Sequence, residues 1–460
     1  MGTKHSTAKQ RDTKTREEPI AVRGGRRHKT RRGDTKNKRR RVSGGRVKAA
    51  VVVGVGVAAA ALALAAALAR SKSKTAPPSS GDYTTGDEAS RSTAIAFGRS
   101  GCVFRPALRC AGKTATFPEH VTKLGSRESS EAEWALVESI KERLITISDW
   151  KNYFILPDDT CTPVLNTRGF RATCPVIYTV SPDDLHALQV PDGGRTINDF
   201  LTSKVEFLPF WTAMKSLLRH GIVPMNTAGI IHRDVKFNNI VSDPVSHFAR
   251  LIDWDAVVDV NNFDALRFTA YFEASINQPY AYSFLSSEIQ ELLGEHQMSC
   301  ENLYKNLNVF IDKILIDGQL PPYAAVNEIS RTKYENGLSL VQSLYGYARG
   351  PGTTTVDYGE NARDQVDKIC EKFCTSSFKT TEYLELLRTN YDVYGWLTTI
   401  LYCFAVFPSL FSDHARYTFH AEPAVKAVLL KYVYNPAVLC APYNVEKIIA
   451  ELDLHVRATS

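Results

Sequence analysis

The stretch I-I-H-R-D-V-K-F-N-N-I-V at 230–241, followed by R-L-I-D-W-D at 250–255, decides how this chain is read. Asp234 is an acid on a loop leaving an apolar run, placed to take a proton from an attacking hydroxyl. Lys236, two residues on, can lie beside it and neutralise charge on a transferring phosphoryl group. Asn239 offers a neutral oxygen to a hard cation and Asp253 a charged one. The apolar runs Gly229–Ile231 and Arg250–Ile252 are expected to pair as strands and hold these oxygens together.

This string resembles the protein-kinase superfamily. Asp234, Lys236 and Asn239 match the catalytic loop H-R-D-x-K-x-x-N, and Asp253 matches the metal-binding aspartate of D-F-G. Five matched positions recur with a 14-residue gap between Asn239 and Asp253, a spacing that a chance H-R-D would not reproduce. The resemblance implies an α+β, two-lobed kinase-like fold: a small β-rich N-lobe and a larger helical C-lobe. It also implies ATP and Mg²⁺ as cofactors, with Asp234, Lys236 and Lys123 catalytic and Asn239 and Asp253 on the metal.

Upstream, A-F-G-R-S-G-C-V-F-R-P-A-L at 96–108 is similar to the family's glycine-rich loop, with Ala96 for its first glycine. Gly98 and Gly101 are then the residues that let backbone N–H groups reach phosphates, and Val103 the one that packs on adenine. V-T-K-L at 121–124 offers Lys123 as the strand lysine for the α- and β-phosphates. Lys113 is the poorer alternative, between Gly112 and Thr114. Trp134, Val137, Ile140, Leu144 and Ile147 fall at helical spacing across Glu131–Ile147. That helix should carry the partner carboxylate, Glu133, with Glu131 as fallback.

The local strings narrow the resemblance to the divergent serine/threonine protein kinases of large DNA viruses. They are G-C-V-F-R-P-A-L-R-C, D-W-K-N-Y-F-I with Cys161, the P-D-G-G-R-T-I-N-D-F-L hinge at 191–201, and N-Q-P-Y at 277–280. Secreted rhoptry-type parasite kinases are the second match. Lysine two residues after the catalytic acid goes with Ser/Thr acceptors on protein substrates. Arg233 would pair with a phosphorylated Thr269, Tyr271 or Ser275, or else be structural.

Downstream, F-L-S-S-E at 284–288 stands for A-P-E through Glu288. Y-D-V-Y-G-W-L at 391–397 resembles the helix start whose aspartate, here Asp392, braces the catalytic loop. About a hundred residues separate those motifs, so either one assignment fails or a helical insertion fills about 289–390. Two departures bear on activity: Ala96, and Asp255 where the family has a glycine that tolerates unusual backbone angles. Trp254 in place of Phe keeps the apolar packing role. A catalytically weak scaffold or binding module is therefore the competing function.

Outside this core the chain divides sharply. Residues 1–48 hold 18 Lys/Arg against 4 acids, a net of +14, so the remainder carries −7 of the overall +7. The tail contains almost no large apolar residue and reads as disordered, suited to anionic lipid, nucleic acid or an import receptor, or simply to solvent. Ala49 to Ala69 are 21 consecutive uncharged residues, enough for a helix of about 30 Å through a membrane. The alternatives are a signal segment cut near Ala69 and a low-complexity Ala/Val stretch.

Residues 70–90 read as a linker, 91–190 as the N-lobe and 191–460 as the C-lobe with its insertion. The resulting placement is a single-pass membrane protein of a host membrane or virion. Nucleus or virion interior through the basic tail, or secretion after cleavage, are the alternatives. The heavier positive flank keeps the N-terminus cytoplasmic and puts the body on the far side. That side favours disulfides and normally lacks ATP, whereas the body reads as a reduced, nucleotide-using domain. Nine cysteines, an odd number without regular spacing, argue against a complete disulfide framework. Cys161, Cys174, Cys370 and Cys374 read as structural thiols, and His186, His220 and His296 are isolated. With 44% hydrophobic residues, a fully disordered chain, a collagen-like repeat and a disulfide miniprotein are excluded.

Overall fold

The computed structural model describes residues 92–97, 101–113, 119–165, 174, 180–200, 206–242, 248–262, 304, 308–309, 311–316, 328–350, 352–374, 379–406 and 422–457. The tail 1–48, the apolar segment 49–69 and the linker 70–90 lie outside them. So do Gly98, Thr269, Tyr271, Ser275, N-Q-P-Y at 277–280 and Glu288. Among the described residues, no helix is long and apolar enough to cross a membrane.

The architecture is α+β, with an antiparallel sheet first and helices after it. Five strands, β1 (Thr93–Phe97), β2 (Gly101–Arg105), β3 (His120–Ser126), β4 (Asp159–Cys161) and β5 (Leu185–Pro191), form the order β1-β2-β3-β5-β4. Helix α1 (Arg127–Leu144) leaves β3 directly. Its start is set by Ser126, whose hydroxyl accepts the Ser129 N–H, and Lys141 and Arg143 sit in its last turn. Ser130, Glu133, Val137, Ile140 and Leu144 form its buried face, the three-and-four spacing that packs a helix on β3 and β5. The helix starts before Glu131 and ends before Ile147.

The second part opens with α2 (Phe207–Ser216), which continues through a π turn at Leu217–Ile222 into Val223–Thr227. Short strands flank this helical run: β6 (Arg195–Thr196), which precedes it, makes one small sheet with β8 (Ile240–Ser242) and β9 (Ala249–Leu251), and β7 (Ile230–Ile231) with β10 (Val258–Asp259) makes another. This corrects the expected pairing of the two runs around the loop that bears Asp234. Ile230 and Ile231 pair with Asp259 and Val258, while Ala249–Leu251 pairs with β8. Each run finds a different partner, so the loop is held from two small sheets rather than one.

Helices α3 (Glu328–Arg349), α4 (Thr355–Phe373), α5 (Thr380–Val406), α6 (Glu422–Tyr432) and α7 (Val445–Arg457) complete the described chain. A reciprocal Thr354–Asp357 capping box starts α4. Side chains from α3 and α4, including Tyr345 and Phe373, join the same core as Trp211 and Trp396. Buried indoles are satisfied there: Trp396 Nε1 donates to the Met214 carbonyl at 2.8 Å, and Trp211 Nε1 to Asp453 on α7 at 2.8 Å. Asp392 lies in the middle of α5, well inside a helix that begins at Thr380 and ends at Val406. The expected helix start at 391–397 is thus corrected.

The cysteines give a further correction. Cys102 is bonded to Cys174 and Cys110 to Cys161, with Cα atoms 5.9 and 5.6 Å apart. All four are buried, and among the described residues Cys370, Cys374, Cys403 and Cys440 lie outside disulfides. The partners are 72 and 51 residues apart in sequence, so spacing carried no hint of the pairing; the folding of the sheet region brings them together. Peptide mapping without reductant should recover both linked pairs. Replacing either pair with alanines should lower stability by about 2–4 kcal/mol in urea unfolding. Recovery of all four as free thiols would remove this feature.

Candidate active site

The loop between β7 and β8 is braced from α5. Asp392, fully buried, accepts the His232 N–H at 2.8 Å and the Arg233 N–H at 2.9 Å, and also takes the Asn226 side-chain N–H at 2.7 Å. Burial pushes its carboxyl pKa up, and His232, the Asn226 amide and the two backbone donors oppose the push. Arg233 has φ +65°, a left-handed conformation costing about 1–2 kcal/mol for a residue with a Cβ. The Asp392 contact holds it there. The Arg233 side chain is buried and hydrogen-bonded to Tyr391.

His232 Nε2 donates to the Ile252 carbonyl at 3.1 Å, and the Asp234 N–H lies 3.4 Å from Nδ1. Asp234 Oδ2 accepts from Lys236 Nζ at 2.7 Å and from Asn239 Nδ2 at 2.7 Å. The Asn239 carbonyl accepts the Ile252 N–H at 3.0 Å, so the segment bearing Asp253 is tied to the loop bearing Asp234.

The second cluster centres on Lys123. Its Nζ lies 2.7 Å from Glu133 Oε2, contacts Asp253 Oδ1, and stands 3.9 Å from Asp255 Oδ2. Burial alone would lower the ammonium pKa, but Asp253, Glu133 and Asp255 more than reverse this and raise it. Enclosure pushes Asp253 up, yet Lys123, with Lys236 and His232 behind it, brings its carboxyl below the ordinary value. Glu133 moves the other way: burial raises it beyond what Lys123 restores. Because Lys236 and His232 act on Asp253, the two clusters form one electrostatic site.

Lys123 therefore joins Glu133 and Asp253, while Lys113 pairs with Asp159 at 2.5 Å and Glu131 is exposed beside Arg127 at 3.5 Å. Val103 faces Lys123 in the β2–β3 register. Gly101 pairs with Gly125 there, and a Cβ on it would lie 2.1 Å from the Leu124 carbonyl oxygen. Glycine is thus required by the approach of the two strands. Ala96 pairs with Val103 within β1 and β2. At the hinge, Arg105 Nη2 donates to Asp192 at 2.6 Å and to the Gly194 carbonyl at 2.8 Å.

Trp254 is buried, its ring 4.9 Å from His232 and 5.7 Å from Phe154, and its Nε1 donates to the Ile155 carbonyl at 2.7 Å. Asp253 itself takes φ +69°, whereas Asp255 is not among the described residues with positive φ. The expected demand for unusual backbone angles at 255 is therefore corrected: the left-handed residue is two positions earlier. Two features escaped the sequence reading, the reach of Asp255 to Lys123 and the Tyr391 contact with Arg233. The first left a trace in the paired acids of D-W-D; the second left none.

The donor set is compatible with a nucleotide and a hard cation. Single oxygens of Glu133, Asp253 and Asp255 lie within 4.8 Å of one another, all of the oxygen type that Mg²⁺ takes, and Lys123 supplies a charge for phosphate.

No protein-family model matches the chain, and no curated protein matches it. Among solved structures it is similar to the Cydia pomonella granulovirus kinase PK-1, at 14% identity over 64% of this chain and 92% of that one, with a TM-score of 0.27.

Proposed function

We propose that this protein transfers the γ-phosphate of ATP to Ser/Thr hydroxyls of protein substrates. The observation that carries the reading is the convergence, on one site, of the Lys123–Glu133–Asp253 cluster and the Asp234–Lys236–Asn239 loop. Asp234 orients the acceptor hydroxyl and takes its proton. Lys236, on the same carboxylate oxygen, adds positive charge where the transferring group becomes more negative. Lys123, held charged and positioned by Glu133, anchors the nucleotide phosphates, and Asp253 and Asn239 would hold Mg²⁺. Mg²⁺-ATP supplies the phosphoryl group and the charge neutralisation; the chain supplies position, a base and a fixed field. The Ser/Thr preference rests on the resemblance of the loop through Lys236.

The protein is further proposed to be anchored through 49–69 with its body on the oxidising side of the membrane. Two buried disulfides support that side, as does the +14 tail, whose charge favours the cytoplasmic face.

A second reading, a kinase-fold binding module, is favoured by Asp255, a third acid close to Lys123. Transfer from labelled ATP by the full chain to a generic basic protein separates the two readings. Mg²⁺-dependent transfer that disappears in EDTA and in Asp234→Asn is the expected result. Nucleotide binding without transfer would establish the binding module instead.

A further inference from the structure

The third carboxylate of the lysine cluster belongs to this chain rather than to the motif it resembles. Where that motif ends in glycine, Asp255 places Oδ2 at 3.9 Å from Lys123 Nζ. Glu133 and Asp253 already engage the same ammonium. One lysine thus faces three carboxylates, a formal charge of −2, at the group that would receive a polyanionic triphosphate. The backbone at 255 does not demand glycine, since its φ is not positive. Its side chain is about one-third exposed, at 35%.

Resting on the phosphotransferase reading above, we infer that Asp255 is a positioning residue that makes nucleotide binding conditional on a divalent cation. It acts through Lys123. Without a cation, Asp255 competes with the phosphates for the ammonium and repels the incoming anion. A cation arriving with the nucleotide offsets both effects, and the competition fades. The site consequently discriminates between metal-bound and metal-free nucleotide more strongly than a glycine at 255 would allow.

The test is a binding titration of the full chain with a fluorescent ATP analogue, once in EDTA and once in Mg²⁺. Asp255→Asn and Asp255→Gly are compared with the wild type, after thermal unfolding confirms that both fold. Affinity in EDTA should rise about five- to tenfold in both variants, the ratio of Mg²⁺ to EDTA affinity should fall, and the EDTA gain should shrink in 1 M salt.

Asparagine keeps the shape and removes the charge, so a gain in Asp255→Gly alone would assign the effect to the backbone and overturn the inference. A matching loss of Mg²⁺-dependent affinity in both variants would make Asp255 a cation ligand and overturn it as well. Binding with an unchanged EDTA-to-Mg²⁺ ratio sinks this inference only. Absence of binding in every protein and condition sinks the nucleotide reading together with it.

Discussion

Replacing Asp234 with asparagine is expected to reduce phosphate transfer about 10²–10⁴-fold while nucleotide affinity stays within about twofold. The carboxylate Oδ2 receives hydrogen bonds from both Lys236 and Asn239, which leaves the group anchored for an acceptor hydroxyl. Asparagine's carbonyl oxygen can still accept from both donors, but its amide nitrogen cannot accept a proton at neutral pH. The nucleotide contacts assigned to Lys123 lie on another element, so the loss should fall on kcat and not on the nucleotide KM. Steady-state kinetics at varied ATP separates the two. Equal rates for the variant and the wild type would remove Asp234 from catalysis and leave the site a binding cleft.

Asp392→Ala should produce the largest loss of stability, about 3–5 kcal/mol, and should abolish transfer as well. Its carboxylate is fully buried and accepts three N–H groups, from Asn226, His232 and Arg233. Alanine leaves all three donors without that acceptor in a space closed to bulk water. It also releases Arg233, whose φ of +65° is sustained by that contact. Urea unfolding should show a lower midpoint with an unchanged slope. Asp392→Asn, which keeps the volume and one acceptor oxygen, should lose less than half as much. A midpoint unchanged in both variants would show that the loop is held by its strands alone.

The difference between these two positions explains what could be read beforehand. The loop 230–241 was legible because its chemistry needs certain residue types at fixed short spacing, and a contiguous loop carries that spacing in its sequence. Glu133 was legible for a packing reason: it shares the helical phase of Val137, Ile140 and Leu144, which buries it, whereas Glu131 points to solvent. Lys123 was preferred over Lys113 on strand context, and β3 does carry it. Asp392 was recognised by its local string, but its place in mid-helix was not, since a long helix absorbs the motif without marking where it begins.

Other features depended on elements that meet only in three dimensions. The two apolar runs around the loop were each suitable strands, yet β10 and β8 compete for them and prevail. Cys102 meets Cys174 across 72 residues and Cys110 meets Cys161 across 51, separations at which no pairing preference survives in the sequence. Gly101 was read for its backbone freedom, but the Leu124 carbonyl supplies a stricter demand.

The sequence by itself determined the chemical repertoire: an acid, a lysine and an amide on one loop, a second acid beyond it, a strand lysine and a helical glutamate. Such short-range patterns survive because each is made by neighbours in the chain. Tertiary structure alone decided which carboxylates share Lys123, that Asp255 joins them, and that four cysteines close two bridges. Those contacts are made by residues from ten to more than a hundred positions apart, and only the packing of sheet against helix sets their distances.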